Sequence, residues 1–185
     1  PPRAVVTQQQ PRRAGLDQLA KLEFRDYRDL TGTYDAVVSI EMFEAVGEQY
    51  WAGYFDTVAA RLAPGGQALI QSITIDDAQF EHYRRGTDFI QQFIFPGGML
   101  PSPTRFRSEA DKAGLGTLES FAFGKDYAET LRRWRDAFEQ QLGDVRALGF
   151  DEAFIRIWRL YLAYCEAGFD SGRTDVMHFH LRKAG

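Results

Sequence analysis

With 185 residues, 44% of them hydrophobic, the chain is long enough to bury one substantial core, and one domain is the natural count. Its 22 Lys and Arg against 26 Asp and Glu leave a net charge of -4, which excludes a protein whose main business is coating nucleic acid. A single cysteine, Cys165, excludes an internal disulfide; no apolar run approaches the roughly 20 residues of a membrane span, and Pro1-Pro2-Arg3 opens no signal-peptide pattern, so a cytoplasmic chain is expected.

In chain order, Arg3 to Thr7 reads as a short strand that runs into a Gln-rich segment without helical amphipathy. Leu22 to Arg25 reads as a strand ending at Asp26-Tyr27-Arg28-Asp29. Tyr34 to Ile40 is a stronger strand, and just beyond its end stands a carboxylate, Glu44, in Ser39-Ile40-Glu41-Met42-Phe43-Glu44-Ala45-Val46-Gly47. A helix through Tyr50, Trp51, Tyr54, Phe55, Val58 and Leu62 follows, broken by Ala63-Pro64-Gly65-Gly66, and Gln67 to Ile75 is the next strand. This β-α-β unit carries an acid at the carboxyl edge of its sheet, the edge where open α/β sheets bind ligands.

After Asp76-Asp77, one helix is expected through Phe80, Tyr83, Phe89, Ile90 and Phe93, closed by Phe95-Pro96-Gly97-Gly98. Pro103 opens a helix to Ala113-Gly114, and Leu115 to Phe123 reads as strand. Two amphipathic helices, about Tyr127–Leu142 and Glu152–Ala167, precede a last strand from Asp175 to Arg182. The order predicts an α/β fold with a mostly parallel sheet.

Five ordered motifs carry a resemblance. They are Asp26-Tyr27-Arg28-Asp29-Leu30; Met42-Phe43-Glu44-x-Val46-Gly47; Ile94-Phe95-Pro96-Gly97-Gly98-x-Leu100-Pro101-Ser102; Phe123-Gly124-x-Asp126-Tyr127-x-x-Thr130-Leu131-x-x-Trp134; and Tyr161-Leu162-x-x-Cys165. Together the chain resembles, over roughly residues 22–183, the cyclopropane-fatty-acyl-phospholipid synthase and mycolic acid cyclopropane synthase family. The resemblance implies a Rossmann-like class I methyltransferase sheet with its last strand antiparallel. It also implies one partial S-adenosylmethionine-dependent domain over residues 1–185, with helical cover insertions at 76–108 and 126–170 over an acyl site.

The implied reaction is methyl transfer from S-adenosylmethionine to the double bond of an unsaturated acyl chain, with bicarbonate removing a proton to close a cyclopropane or the cation diverted to a methyl branch. Carried over by position, Glu44, Gln71 and Tyr127 would hold bicarbonate, with a backbone group at Ile73. Cys165 matches a cysteine treated as active-site. Asp26, Tyr27 and Arg28 fall at the adenine edge, and Ile40 supplies a backbone contact to the cofactor. The implied partner is an acyl lipid met at the inner face of a membrane, with no nucleic acid and no metal; a homodimer is left open.

The chain departs from the pattern: no Gly-x-Gly-x-Gly turn occurs, the family's first strand is missing, and Ala45 and Gln71 stand where histidines are usual. Two alternatives therefore stay open, a methyltransferase acting on a small-molecule acceptor and a catalytically silent lipid-binding domain.

Each residue also has a plainer reading. Glu44 could be a helix cap or ion-pair partner, Gln71 a structural hydrogen bonder and Tyr127 a packing residue. Cys165, among Trp158, Tyr161, Leu162 and Phe169 at helical spacing, reads more simply as a buried inert thiol. His178 and His180 alternate on one strand face without a third metal ligand. Phe80, Phe89, Phe93 and Phe95 are core by default. Arg84-Arg85 and Arg132-Arg133-Arg135 are most simply exposed helix charges, with phospholipid headgroup contact the minority reading.

Overall fold

The computed structural model describes Gly15, residues 19–21 and residues 23–185. They fall into two compact units divided between Gly32 and Thr33. The expected strand at Arg3 to Thr7 lies outside the described residues.

In the first unit, residues 23–25 form no strand, contrary to expectation; a single 3-10 turn, Tyr27–Asp29, follows instead. The Asp26 carboxylate explains the difference. It accepts from Arg28 N at 2.9 Å, capping the turn, and binds the same residue's guanidinium.

The second unit is built on a four-stranded sheet. Strand β1 is Tyr34–Ile40, α1 a single turn at Phe43–Val46, and α2 spans Trp51–Arg61. Helix α2 buries Trp51, Tyr54, Phe55 and Val58, the spacing of one helical face. Strand β2 runs Leu62–Ile75, beginning earlier than its apolar pattern because the Pro64-Gly65-Gly66 stretch stays extended, with Gly65 supplying a positive φ of 74°.

The helix expected through residues 80–93 is two helices, α3 (Asp77–Arg85) and α4 (Phe89–Phe93). Gly86 ends the first. The second has its own start signal: Asp88 accepts from Gln91 N at 2.9 Å while the Gln91 side chain accepts from Asp88 N at 3.1 Å, a reciprocal capping box. Phe80 is buried, but Phe93 and Phe95 are more than half exposed, so the four phenylalanines are not one core set.

Helix α5 (Pro103–Lys112) starts with Ser102 as cap and Pro103 in its first turn. Strand β3 (Leu115–Ala122), α6 (Gly124–Gln140), α7 (Leu142–Ala147), α8 (Glu152–Asp170) and β4 (Thr174–Lys183) complete the unit.

The strand order is β1-β2-β4-β3. β1 and β2 are parallel, and β4 runs antiparallel to both of its neighbours, so three strands share one direction and the last opposes them. Successive residues of a strand point to opposite faces, and both faces are covered. Paired Ile70 and Phe179 belong to a fully buried layer in which Phe179 stacks on Phe106 of α5 at 3.9 Å between ring centroids. Paired Ile73 and Val176 pack with Ala128 and Leu131 of α6 and with Leu162 and Phe169 of α8.

Candidate functional site

Both layers position the site. Phe43, fully buried, packs against the rings of Trp51, Tyr54, Phe55 and Phe106 at 5.0 to 5.2 Å. With Phe43 pinned in that aromatic cluster, the next residue, Glu44, is held at the mouth of the sheet. The glycine turn after α4 locks onto the same segment, since Met99 N donates to the Glu44 carbonyl at 2.9 Å. From the other side, Gly124 N donates to Asp175 Oδ1 at 2.7 Å, and a Cβ at Gly124 would lie 2.7 Å from that oxygen. Only glycine allows this close docking of α6 on β4, and it sets Tyr127 one turn later.

Between these layers lies a mostly apolar cavity of about 170 Å³, lined among others by Glu41, Glu44, Phe95, Tyr127, Tyr161 and Cys165. A second cavity of about 290 Å³ shares Ile73, Tyr83, Leu100, Cys165 and Phe169 with it and continues past Ile75 and Ile90.

Glu44 Oε1 accepts from the backbone N–H of Ile73, while Oε2 is buried without a hydrogen-bond partner. Burial is the chief force raising its pKa, with the nearby Glu41 charge adding to it. The Tyr127 hydroxyl pKa is also raised, first by burial and then by Glu41. Burial pushes Tyr161 and Cys165 up to about 12, which favours the protonated thiol of Cys165 at neutral pH.

The residue that sequence reasoning missed is Glu41. It accepts from Gln71 Nε2 at 2.7 Å and from the Tyr127 hydroxyl at 3.0 Å. Its φ of 48° makes it the one non-glycine residue with positive φ among the described residues, a conformation found at constrained sites. Gln71, in turn, accepts from His178 Nε2 at 2.8 Å across the β2–β4 register, and the His178 ring meets Phe123 edge-on at 4.8 Å. His178 is thus tied to the site through Gln71, whereas His180 meets Gln67 at 2.7 Å. Among the described residues no cluster of His, Cys, Asp and Glu is arranged to hold a metal.

Of the other expected site residues, Ile40 ends β1 with its side chain half exposed. Asp26, Tyr27 and Arg28 sit in the first unit. There the Arg28 guanidinium holds the Asp26 carboxyl down at about 2 and lies 5.9 Å from the centre of the Tyr27 ring. The arginines on the helices are engaged as well: Arg84 with Glu48, Arg132 with Glu129 and Asp170, and Arg135 with Glu166.

A carboxylate pair at the carboxyl edge of a sheet of three co-directional strands and one opposed strand, roofed by helices, has the architecture of class I methyltransferases. Residues 3–179 match the family model for mycolic acid cyclopropane synthetase, and the chain belongs to that family. It is 43% identical, over 93% of its length, to tuberculostearic acid methyltransferase UfaA1 of Mycobacterium tuberculosis. It is 32% identical, over 86% of its length, to cyclopropane-fatty-acyl-phospholipid synthase of Escherichia coli. The chain spans 40% of the length of each of these relatives. The crystal structure of mycolic acid cyclopropane synthase CmaA1 complexed with SAH and CTAB superposes with a TM-score of 0.78 at 27% identity, covering 87% of this chain and 59% of the other.

Proposed function

We propose that this chain forms the acceptor side of an S-adenosylmethionine-dependent methyltransferase acting on the double bond of an unsaturated acyl chain, giving a cyclopropane or a methyl-branched product. The observation that carries the reading is the apolar cavity at the sheet's carboxyl edge, whose polar groups converge at Glu41 and Glu44. An acyl chain fits apolar walls, and the second cavity extends them. The names of the relatives, fatty acid and tuberculostearic acid methyltransferases among them, support the same acceptor class.

The chemistry of the donor set suits S-adenosylmethionine in part. Two carboxylates favour a sulfonium cation over a neutral or anionic ligand, and Ile40 at the end of β1 offers backbone at the edge where such cofactors lie. Asp26, Tyr27 and Arg28, in the first unit, are assigned to the adenine side by the resemblance alone. The cofactor, when bound, supplies an electrophilic methyl group. The protein's own contribution is then to exclude water, to orient the alkene between Phe95, Tyr161 and Phe169, and to face the developing carbocation with aromatic rings and negative charge. Helices within 76–108 and 126–170 form the cover over this site. Peripheral contact with a membrane would deliver the lipid; among the described residues no helix is long and apolar enough to cross one.

Bicarbonate, the base that the resemblance implies, would meet donors here that already have carboxylate partners. The Tyr127 hydroxyl gives its one proton to Glu41 and the Ile73 N–H goes to Glu44, so the anion would have to displace both carboxylates, while Gln71 Nε2 gives one of its two N–H groups to Glu41.

The testing experiment is incubation of the full-length gene product with S-adenosylmethionine and unsaturated phospholipid, followed by chromatography and mass spectrometry of the fatty acids. New cyclopropane or methyl-branched acids are expected. Methylation of a small amine or hydroxyl acceptor alone would replace this reading by the small-molecule alternative.

A further inference from the structure

We propose that the Glu41 carboxylate is the site's own proton acceptor and stands where an exogenous anion would otherwise bind. The inference deepens the acyl methyltransferase reading and rests on it for the reaction, though not for the binding site itself.

Three observations converge. The first is backbone geometry: a φ of 48° is strained for a non-glycine residue and is tolerated where the surroundings hold the residue in place. The second is the pair of donors. Gln71 and Tyr127 come from β2 and α6, one addresses each oxygen of Glu41, and His178 orients Gln71 from the neighbouring strand. Such a cradle matches a carboxylate, with one amide and one hydroxyl donor at 2.7 and 3.0 Å. The third is position: Glu41 lines the same apolar cavity as Glu44, where an acyl chain would lie.

Each carboxylate oxygen has acceptor capacity for more than one partner, so one donor apiece leaves Glu41 able to take a proton. Glu44, by contrast, has one oxygen on a backbone N–H and the other buried without a partner. Two acids in unlike surroundings divide acid and base roles between them.

The step balances. The methyl group arrives as its bond to sulfur breaks with the electron pair left on sulfur, while the alkene's π pair forms the new C–C bond and charge appears on the other alkene carbon. Glu41 takes one proton from the added methyl group. The C–H pair closes the third bond of the ring, discharging the cation, and the carboxylic acid then returns the proton to water.

The test has a binding arm and a turnover arm. In the first, 13C-labelled bicarbonate is titrated against the full-length gene product and its line width followed by NMR. The native chain is expected not to broaden the signal. Glu41→Gly, which keeps the positive φ and removes the carboxylate, is expected to stay folded, to bind bicarbonate and to lose that binding when combined with Tyr127→Phe. Tyr127-dependent binding by the native chain overturns the proposal, as does a folded Glu41→Gly that binds nothing. A Glu41→Gly chain that unfolds also overturns it, because the hydrogen bonds of Glu41 would then be structural.

In the second arm, the full-length gene product is assayed in carbonate-free buffer. The native enzyme should turn over there, Glu41→Gln should lose about a hundredfold or more, and Glu41→Gly should recover when bicarbonate is added. A native enzyme that needs added bicarbonate contradicts the proposal. Complete absence of methylated acyl product from the native enzyme would instead remove the acyl reading, and the NMR arm would still decide the role of Glu41.

Discussion

The Tyr127 hydroxyl donates to Glu41 at 3.0 Å although the two residues stand 86 positions apart. This bond ties α6 to the edge of the sheet. Tyr127→Phe keeps the ring contacts with Phe169 and Trp134, at 5.0 and 6.1 Å, and removes only the donor. Because Glu41 is exposed to solvent, the stability cost should lie near the lower end of about 0.5–1.5 kcal/mol. Thermal melting checks this; a loss of several kcal/mol would make Tyr127 a packing residue first.

Glu44 predicts a pH dependence of stability. The folded chain holds its proton to higher pH than the unfolded chain, whose value is near 4.5. The group's contribution is therefore complete below about 4.5 and is lost as pH rises through the raised folded value. Glu44→Gln cannot titrate and can still accept from Ile73 N–H. Melting curves of the two chains should diverge in favour of the variant between acidic and neutral buffer; divergence in favour of the native chain would contradict the burial argument.

Cys165 should be chemically quiet. With its pKa pushed up to about 12 by burial, almost no thiolate exists at neutral pH, and iodoacetamide should label the native chain far more slowly than the denatured one. Cys165→Ala should leave a small cavity and preserve turnover in the full-length product. Loss of turnover with intact melting would restore a catalytic role for this cysteine.

The 185-residue chain by itself should bind S-adenosylmethionine weakly, because it contains no glycine-rich turn to bring backbone against the methionine end of the cofactor. Calorimetric titration decides the matter. Binding at micromolar or tighter affinity would mean that another segment supplies that cradle.

Much of this was legible in sequence because it is local. Strand β1, the amphipathic face of α2 and Glu44 at the carboxyl edge all follow from spacing. The break between α3 and α4 was also there to be read, in Gly86 followed by the Asp88-x-x-Gln91 capping pair, but the continuing Phe and Tyr pattern masked it. Glu41 was not legible. It follows a strand directly, and its role depends on a backbone reversal and on donors 30 and 86 residues away. Gln71 was carried over from the resemblance, yet its partners could be found only from the register that sets it opposite His178. The strand expected at residues 22–25 failed because the Asp26 carboxylate captures Arg28 locally and closes a turn.

The most direct measurement uses S-adenosylmethionine carrying a 13C-labelled methyl group, with the full-length gene product and vesicles of unsaturated phospholipid. The account predicts the label as a ring methylene or a branch methyl at the former double bond, visible by NMR and mass spectrometry of the released fatty acids. Label found only on a headgroup or on a small soluble acceptor, with every double bond intact, would contradict it.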